Sequence, residues 1–432
     1  MRARYHVAVR RPTDDAILTL PGGAMPGFAL DDAPWWQIVT PVVDELKRRF
    51  GLDVVALRAA WLGDPVEDGS VDRLVEVAHR GGRLPDGARW LALEDLERRP
   101  TPLGRAIDAG ALDPSDGVLH PWYRSDWFEG MAAWVDAALL DAGLRRRGPI
   151  RQVRSWGRAA LVSADTDRGR VWAKQVPTVF AHEIAVTRLL GDVDPGFVAP
   201  EIAADPASGR VLMEHVEGPL LAETADDPAP WTATMARLAE VQRVVGMDLD
   251  AARAAGLPSA SLASLADALP RLLDRSATPM LVRDAIDDLQ LACRALDASA
   301  VGPSVEHGDL SPGQVIVGEM GPVILDWSDS TITHPFLAAA SFLIEPGDLP
   351  ASLGDDLATR LADAYVAGWG GGAEARRAMD LATIVYPLHL VRLYVDRILP
   401  GLEQPWEMEQ MVPWGLQRVE RRLSELPRIL GR

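Results

Sequence analysis

Residues Ser304 to Asp329, SVEHGDLSPGQVIVGEMGPVILDWSD, constrain this chain more than any other stretch. Two short apolar runs, Val315-Ile316-Val317 and Val323-Ile324-Leu325, flank the turn dipeptide Gly321-Pro322, which predicts a small buried hairpin. A polar loop, His307 to Gln314, leads into the first strand, and Asp326 leaves the second. Closing the hairpin brings Asp309, Gln314 and Asp326 to one end of a two-stranded unit. One carboxylate there is placed to orient a hydroxyl. An amide oxygen and a second carboxylate can share a hard cation, because magnesium takes oxygen ligands. These are the parts of a phosphoryl-transfer site.

The run HGDLSPGQ followed by ILDW resembles the H-x-D-x-x-x-x-N … D signature of the aminoglycoside phosphotransferase and choline kinase-like enzymes, relatives of protein kinases. The resemblance implies that Asp309 positions the acceptor hydroxyl and that Gln314 and Asp326 hold magnesium. Gln314 stands where the family usually has Asn; it keeps the carbonyl ligand and adds a methylene. His307 is expected to brace the loop rather than to titrate.

Composition narrows the classes. Sixty-two Asp and Glu against 44 Lys and Arg leave a net charge of −18, which argues against non-specific nucleic-acid binding, a process that rests on neutralising phosphates. An acidic surface tolerates cationic small molecules, or simply keeps the chain soluble. The single Cys293 cannot form an internal disulfide, and no Cys/His cluster has zinc spacing. The start, MRARYHVAVRRPTDD, lacks an apolar signal core, and no apolar run approaches membrane-spanning length, so a cytoplasmic protein is expected.

Four regions are expected: 1–112, 113–148, 149–217 and 218–432. In the first, Tyr5 to Val9, Ala16 to Leu20, Leu52 to Leu57 and Leu74 to Ala78 read as strands, and Gln37 to Phe50 as a helix stopped by Gly51. Arg89 to Leu96 reads as a strand passing into a helical start. The runs LPGG, DELKRRFGL and RWLALEDL resemble the Nudix hydrolase fold with its chemistry missing. Aligned on Gly51-Leu52, the metal-binding glutamate pair falls on Arg48 and Arg49, and guanidiniums cannot ligate a cation. Glu45 survives alone and reads as a solvated helix residue. Trp35 and Trp36 read as core residues or as an aromatic surface for a protein partner.

Asp113 to His120 reads as a linker, and Trp127 to Leu144 as a bridging helix with Asp126 as N-cap. Then Ile150 to Ser155, Ala159 to Ser163 and Arg170 to Val176 read as strands, followed by a helix over Phe180 to Leu190. In kinase-like folds a strand lysine pairs with a helix glutamate and reaches the nucleotide phosphates, roles that fall on Lys174 and Glu183; a plain surface lysine is the competing reading. No G-x-G-x-x-G loop is present; Ser155 and the backbone near Gly157 are the phosphate contacts proposed in its place. Val211 to Pro219 resembles the interlobe hinge, where backbone groups from Glu214 to Val216 would read the adenine edge.

Residues 219–300 read as helices over Trp231 to Val245, Leu262 to Leu273 and Met280 to Leu296. Ala378 to Leu399 reads as one helix interrupted near Pro387. Along it Tyr386, His389, Arg392 and Asp396 are spaced to share a polar face that lines the acceptor cleft or simply meets solvent. Asp329 and His334 are further candidate substrate residues; His334 is otherwise a structural cap.

The expected architecture is therefore α+β: a Nudix-like domain, then a bilobal kinase-like domain with a small β-rich lobe and a helical lobe. The expected activity is magnesium-assisted transfer of phosphate from ATP, with GTP left open, to a small-molecule hydroxyl such as that of an aminoglycoside or amino sugar. The alternative is a pseudokinase that binds ligand without transfer. Residues 1–115 are predicted to release no phosphate or pyrophosphate from nucleoside diphosphate derivatives with magnesium or manganese present; measurable metal-dependent release would overturn the reading of a chemically silent Nudix-like domain.

Overall fold

The computed structural model describes residues 2–14, 16–61, 69–92, 95, 120–275, 277–343, 349–402 and 406–432. The expected helical start after Leu91 and most of the expected linker 113–120 lie outside these residues. The chain divides into two compact units, the first comprising Met1–Pro177, Arg210–Leu212 and Leu402–Glu407, the second Thr178–Gly209, Met213–Gly401 and Met408–Arg432.

The first unit begins with strands β1 (Ala3–Arg10), β2 (Ile17–Thr19) and β3 (Gly27–Leu30), the helix Thr40–Phe50, and strands β4 (Leu52–Trp61), β5 (Val71–Gly82) and β6 (Arg89–Leu91). The sheet order is β4-β5-β1-β2-β6, with β3 also on β1, and β1 runs parallel to β5. Along β1 the alternation of period two is plain. Tyr5, Val7 and Val9 pack in the core, while Arg4, His6 and Arg10 lie on the other face. That face is laced by ion pairs: Arg4 Nε lies 3.0 Å from Asp72 Oδ1, and Arg10 and Arg58 both engage the buried Glu76.

The helix Thr40–Phe50 ends as expected at Gly51, whose φ of 70° lets its N–H reach Lys47 O at 3.0 Å. Glu45 is held by its own helix: Arg48 donates to its two oxygens at 3.0 and 2.6 Å and Arg49 also donates to it. These hydrogen bonds pull the Glu45 pKa down to about 2.

The remainder of this unit carries the helix Trp127–Asp141 and the antiparallel strands β7 (Arg151–Trp156), β8 (Ala159–Thr166) and β9 (Gly169–Gln175), with the start of β11 (Arg210–Glu214) beside β9. Strand β7 is joined to the N-terminal sheet by side chain and backbone together. The buried Gln152 amide accepts from Ala56 N at 2.7 Å and donates to Ala56 O at 2.6 Å, so it replaces a strand partner for one peptide unit of β4. Val39 N donates to Val153 O at 2.9 Å, and Ser155 N to Gln37 O at 3.1 Å.

The second unit carries β10 (Glu201–Asp205), the short pair β12 (Ser304–Glu306) and β15 (Thr331–Thr333), and the hairpin β13 (Val315–Gly318) and β14 (Gly321–Ile324), among helices. The expected hairpin forms, with Val315 opposite Ile324 and Gly318 opposite Gly321, but Gly321 and Pro322 belong to its second strand and the turn falls at Glu319 and Met320, which corrects the expected Gly321-Pro322 turn. The helix Gly372–Leu393 corrects one expectation, because it runs through Pro387 and changes to a π turn only at Tyr394–Ile398. With its extension to Gly401 it is long and apolar enough to cross a membrane by composition, yet 78% of that apolar window is buried within the protein. Apolar character here serves a core. The helix expected over Met280 to Leu296 is broken at Ala285 into Met280–Asp284 and Ile286–Asp297.

Gln152→Ala is predicted to lower stability by about 1–3 kcal/mol in urea unfolding, because it leaves the buried N–H and C=O of Ala56 without these partners.

Candidate active site

The loop from His307 to Gln314 is held from beneath by buried side chains. Gln242, on the helix Ala229–Val245, first fixes β12: Ser304 Oγ donates to its backbone O at 2.6 Å and its amide nitrogen donates to Val305 O at 2.8 Å. Glu306, fully buried, folds its carboxylate forward so that Oε1 accepts Gly308 N–H at 2.7 Å. Tyr386 OH lies 3.3 Å from Gly308 O and 2.9 Å from Ser341 Oγ, and Ser341 Oγ donates to Leu310 O at 3.0 Å. The peptide unit just before Asp309 and the one just after Leu310 are thus pinned. Gly308 is obligatory, since its φ is 90° and a Cβ would stand 2.5 Å from the Asp329 Cβ and carbonyl oxygen.

His307 ties this loop to the hairpin. Its Nε2 meets Leu325 O at 2.9 Å and its Nδ1 meets Asp309 N–H at 3.4 Å, partners that assign the ring proton to Nε2. Burial pushes its pKa down, so the ring is a neutral brace. Burial likewise pushes the Tyr386 hydroxyl well above its ordinary value, and the Asp309 charge adds to the effect. Tyr386 therefore stays protonated.

Asp326 is the only described non-glycine residue with positive φ, at 63° with ψ 60°. Such a backbone costs roughly 1–3 kcal/mol and persists only where its surroundings impose it. Here Ser328 Oγ donates to Asp326 Oδ1 at 3.0 Å, and Trp327, buried, donates its indole N–H to Ile324 O at 3.1 Å. The hairpin brings residue 314 beside residue 325, with Leu325 N donating to Gln314 O at 2.9 Å, so Gln314 and Asp326 lie at the same end of it. The extra methylene of Gln314 has a visible consequence. Its Oε1 turns back to accept Ser311 N–H at 2.8 Å and closes the turn Pro312–Gln314.

Hard oxygen donors at one hairpin end suit magnesium, which is commonly held by one or two carboxylates together with substrate phosphates. Among the described residues no group of three or more His, Cys, Asp and Glu side chains makes a preformed metal centre.

The other expected site residues are placed as follows. Lys174 is half-buried on β9 in the first unit, opposite Leu161, and Glu183 is buried in the first turn of the helix His182–Val193 in the second. Ser155 lies on the sheet face opposite Lys174. It is buried in the row Ser155–Ala160–Gln175, and its hydroxyl donates to Leu57 O at 2.5 Å. Its side chain is a joint to β4, which corrects the expectation of a phosphate contact. Gly157 sits in the β7–β8 turn, where a Cβ would meet Tyr123 OH and Leu402 at ordinary contact distance, 3.7 Å. Glu214 is exposed and its N–H donates to Pro200 O at 2.9 Å, while Val216 is half-buried. The end of the segment expected as the hinge is seated on the hairpin by Val317 N donating to Pro219 O at 2.9 Å.

Four of the candidate substrate residues are buried supports. Tyr386 and His389 belong to the layer under the loop, with His389 Nε2 3.5 Å from Glu306 Oε2. Asp329 is buried with its backbone against Gly308, and His334 caps the helix Phe336–Leu343 by accepting Phe336 N–H at Nδ1, 3.3 Å. Arg392, half-buried, donates to Ser264 Oγ at 2.8 Å. The expected polar face exists only from Arg392 to Asp396, which is itself bound by Arg271 at 2.8 Å. Sequence reasoning missed Glu306 and Ser341. A charged residue inside the apolar approach to the loop was the one available signal for Glu306.

Comparison with known proteins identifies the class. Residues 162–381 match the model of the phosphotransferase enzyme family, a little over half of the chain, and the chain belongs to that family. Solved structures similar to it include a choline/ethanolamine kinase family protein from Mesorhizobium loti, with 16% identity, covering 71% of this chain and 95% of that one, TM-score 0.47. Another is the macrolide 2′-phosphotransferase MphH from Brachybacterium faecium, with 17% identity, covering 65% and 96%, TM-score 0.46. A third is choline kinase LicA from Streptococcus pneumoniae, with 12% identity, covering 69% and 99%, TM-score 0.46. No curated protein matches by sequence.

Burial pushes the His334 pKa down to about 3 from an ordinary 6.5. The unfolded chain then takes up a proton below pH 6.5 that the folded chain refuses. This contribution to stability is complete above that pH and is lost as the pH falls toward 3. The predicted slope is at most about 1.4 kcal/mol per pH unit. Urea unfolding of wild type and His334→Gln between about pH 7 and about pH 5 should show the shallower slope in the variant.

Proposed function

We propose that this chain transfers the γ-phosphoryl group of ATP or GTP to a hydroxyl of a small molecule. The observation that carries the reading is the pinned loop: Glu306, Tyr386, Ser341 and the neutral His307 fix the peptide units around Asp309 before any substrate arrives. Positioning supplies most of the rate in phosphoryl transfer, so a rigid carboxylate is what the chemistry requires. Asp309 would hold the acceptor hydroxyl and take its proton as the bond to phosphorus forms, while the nucleoside diphosphate departs. Lys174, with Glu183 as its partner, would hold the nucleotide phosphates. Asp326 and Gln314 would hold magnesium, Gln314 after releasing Ser311 N–H. When bound, the ion supplies charge neutralisation on the phosphate oxygens.

The acceptor is proposed to be an aminoglycoside, an amino sugar or a similar molecule, in keeping with the acidity of the chain. A cytoplasmic location agrees with that chemistry. The N-terminal region is read as a Nudix-like domain without hydrolysis, supported by the capture of Glu45 by Arg48 and Arg49. One observation favours the second reading, ligand binding without transfer: the Gln314 carbonyl is already engaged within its own loop.

Incubation with Mg-ATP or Mg-GTP and a panel of amino sugars and aminoglycosides separates the two. Transfer to at least one acceptor is expected, and Asp309→Asn should lower kcat by about 10²- to 10⁴-fold with nucleotide affinity kept. Nucleotide binding with no phosphorylated acceptor, and no effect of Asp309→Asn in cells, would establish the non-catalytic reading instead.

A further inference from the structure

The pairing of β7, β8 and β9 sorts their side chains onto two faces. Residues directly opposite each other in an antiparallel pair share a face. Ser155, Ala160 and Gln175 form one row, and Gln152, Val162 and Ala173 another; all six are buried. The N-terminal sheet closes this face through Gln152 and Ser155, and Trp127 Nε1 adds a bond to Gln175 at 2.6 Å. On the other face Arg154 stands opposite Leu161, and Leu161 opposite Lys174. Trp156, opposite Ala159, follows two residues after Arg154 on that face. A register shift between Gln152 and Arg154 is what puts these two residues on opposite faces.

The second face carries an imbalance of donors. Arg154 Nε and the indole N–H of Trp156 are both buried without a hydrogen-bond partner among the described residues. Arg154 makes no ion pair among the described residues, whereas Arg4, Arg10, Arg58 and Arg146 in the same unit each meet a carboxylate. Buried donors left unmatched cost free energy. Both orphan groups are donors with no accepting atom, and they share their face with the Lys174 ammonium. What would satisfy them is a ligand rich in acceptor oxygens and negative charge.

We propose that Arg154 and Trp156 bind the nucleotide's phosphates and stand in for the glycine-rich loop that this chain lacks. The proposal rests on the phosphotransferase reading above and adds to it the residues that complete the phosphate half-site beside Lys174. A guanidinium suits the task because its fork of donors matches two phosphate oxygens at once. Their strand is rigidly presented. Ile38 bridges to Arg154, Val39 N donates to Val153 O, Ser155 N donates to Gln37 O, and Trp122 Nε1 donates to Trp156 O at 2.9 Å. One row therefore runs from Ile38 through Arg154 and Leu161 to Lys174, so the N-terminal domain sets the strand on which the new phosphate contacts sit.

The test uses the full-length protein and calorimetric titration with Mg-ADP and with adenosine. Arg154→Gln should weaken Mg-ADP by about tenfold or more and leave adenosine unchanged, since a charged hydrogen bond to phosphate is lost and no base contact is touched. Arg154→Lys should recover part of the loss, and Trp156→Phe should weaken Mg-ADP by about threefold to tenfold. Unchanged Mg-ADP affinity in Arg154→Gln would overturn the assignment. Equal weakening of Mg-ADP and adenosine, together with a lower melting temperature, would make Arg154 a structural residue and overturn it too. A wild-type chain that binds neither ligand would instead overturn the phosphotransferase reading on which the assignment rests.

Discussion

The contact on which the catalytic half of this protein depends is the close approach of Gly308 to Asp329. At φ 90° and with room for no side chain, Gly308 lets the loop lie directly on the turn that follows Asp326. Once the two segments touch, the remaining bonds can form: Glu306 to Gly308 N–H, Tyr386 beside Gly308 O, Ser341 to Leu310 O, and His307 between Asp309 N–H and Leu325 O. Glu306, His307, Gly308, Leu310, Ser341 and Tyr386 are buried, so the bonds among them act in a low-dielectric setting where losing one leaves an unsolvated polar group. Residues proposed from the sequence as substrate contacts, Tyr386 and His389, turn out to be part of this support.

A second constraint shapes the other unit. Strand β7 is shared between the N-terminal sheet and the small meander β7–β9, and side-chain amide and hydroxyl groups make the joint. Joining one face of the meander to β4 commits Ser155 and Gln152 to structure and leaves Arg154, Trp156 and Lys174 on the other face. The N-terminal region is thus no loosely tethered module. On its helix Glu45 is tied to Arg48 and Arg49.

Much of this was legible in the chain. The hairpin, the meander, the stop at Gly51 and most helices follow from local periodicity and from Gly and Pro placement, which act over a few residues. The placing of Gln314 and Asp326 at one end of the hairpin follows from hairpin closure alone. What misled was equally physical. The spacing of Tyr386, His389, Arg392 and Asp396 suggests one polar face, but a polar side chain that finds a buried partner loses its reason to face water. Pro387 suggests a break, but a helix packed on every side can tolerate one missing hydrogen bond.

The sequence by itself determined which groups are available: Asp309, Gln314 and Asp326 on a hairpin, Lys174 on a strand, Glu183 on a helix, and the order in which they occur. These depend on local geometry, which a short run of residues specifies. Only the tertiary structure decided what each polar side chain does, because that depends on partners far away in the chain. Glu306 meets His389, Ser341 reaches Leu310, Ser155 reaches Leu57, and Arg154 Nε meets no partner among the described residues. A β-bulge placed Gln152 and Arg154 on opposite faces, and a single-residue shift of that kind is invisible until the strands are paired.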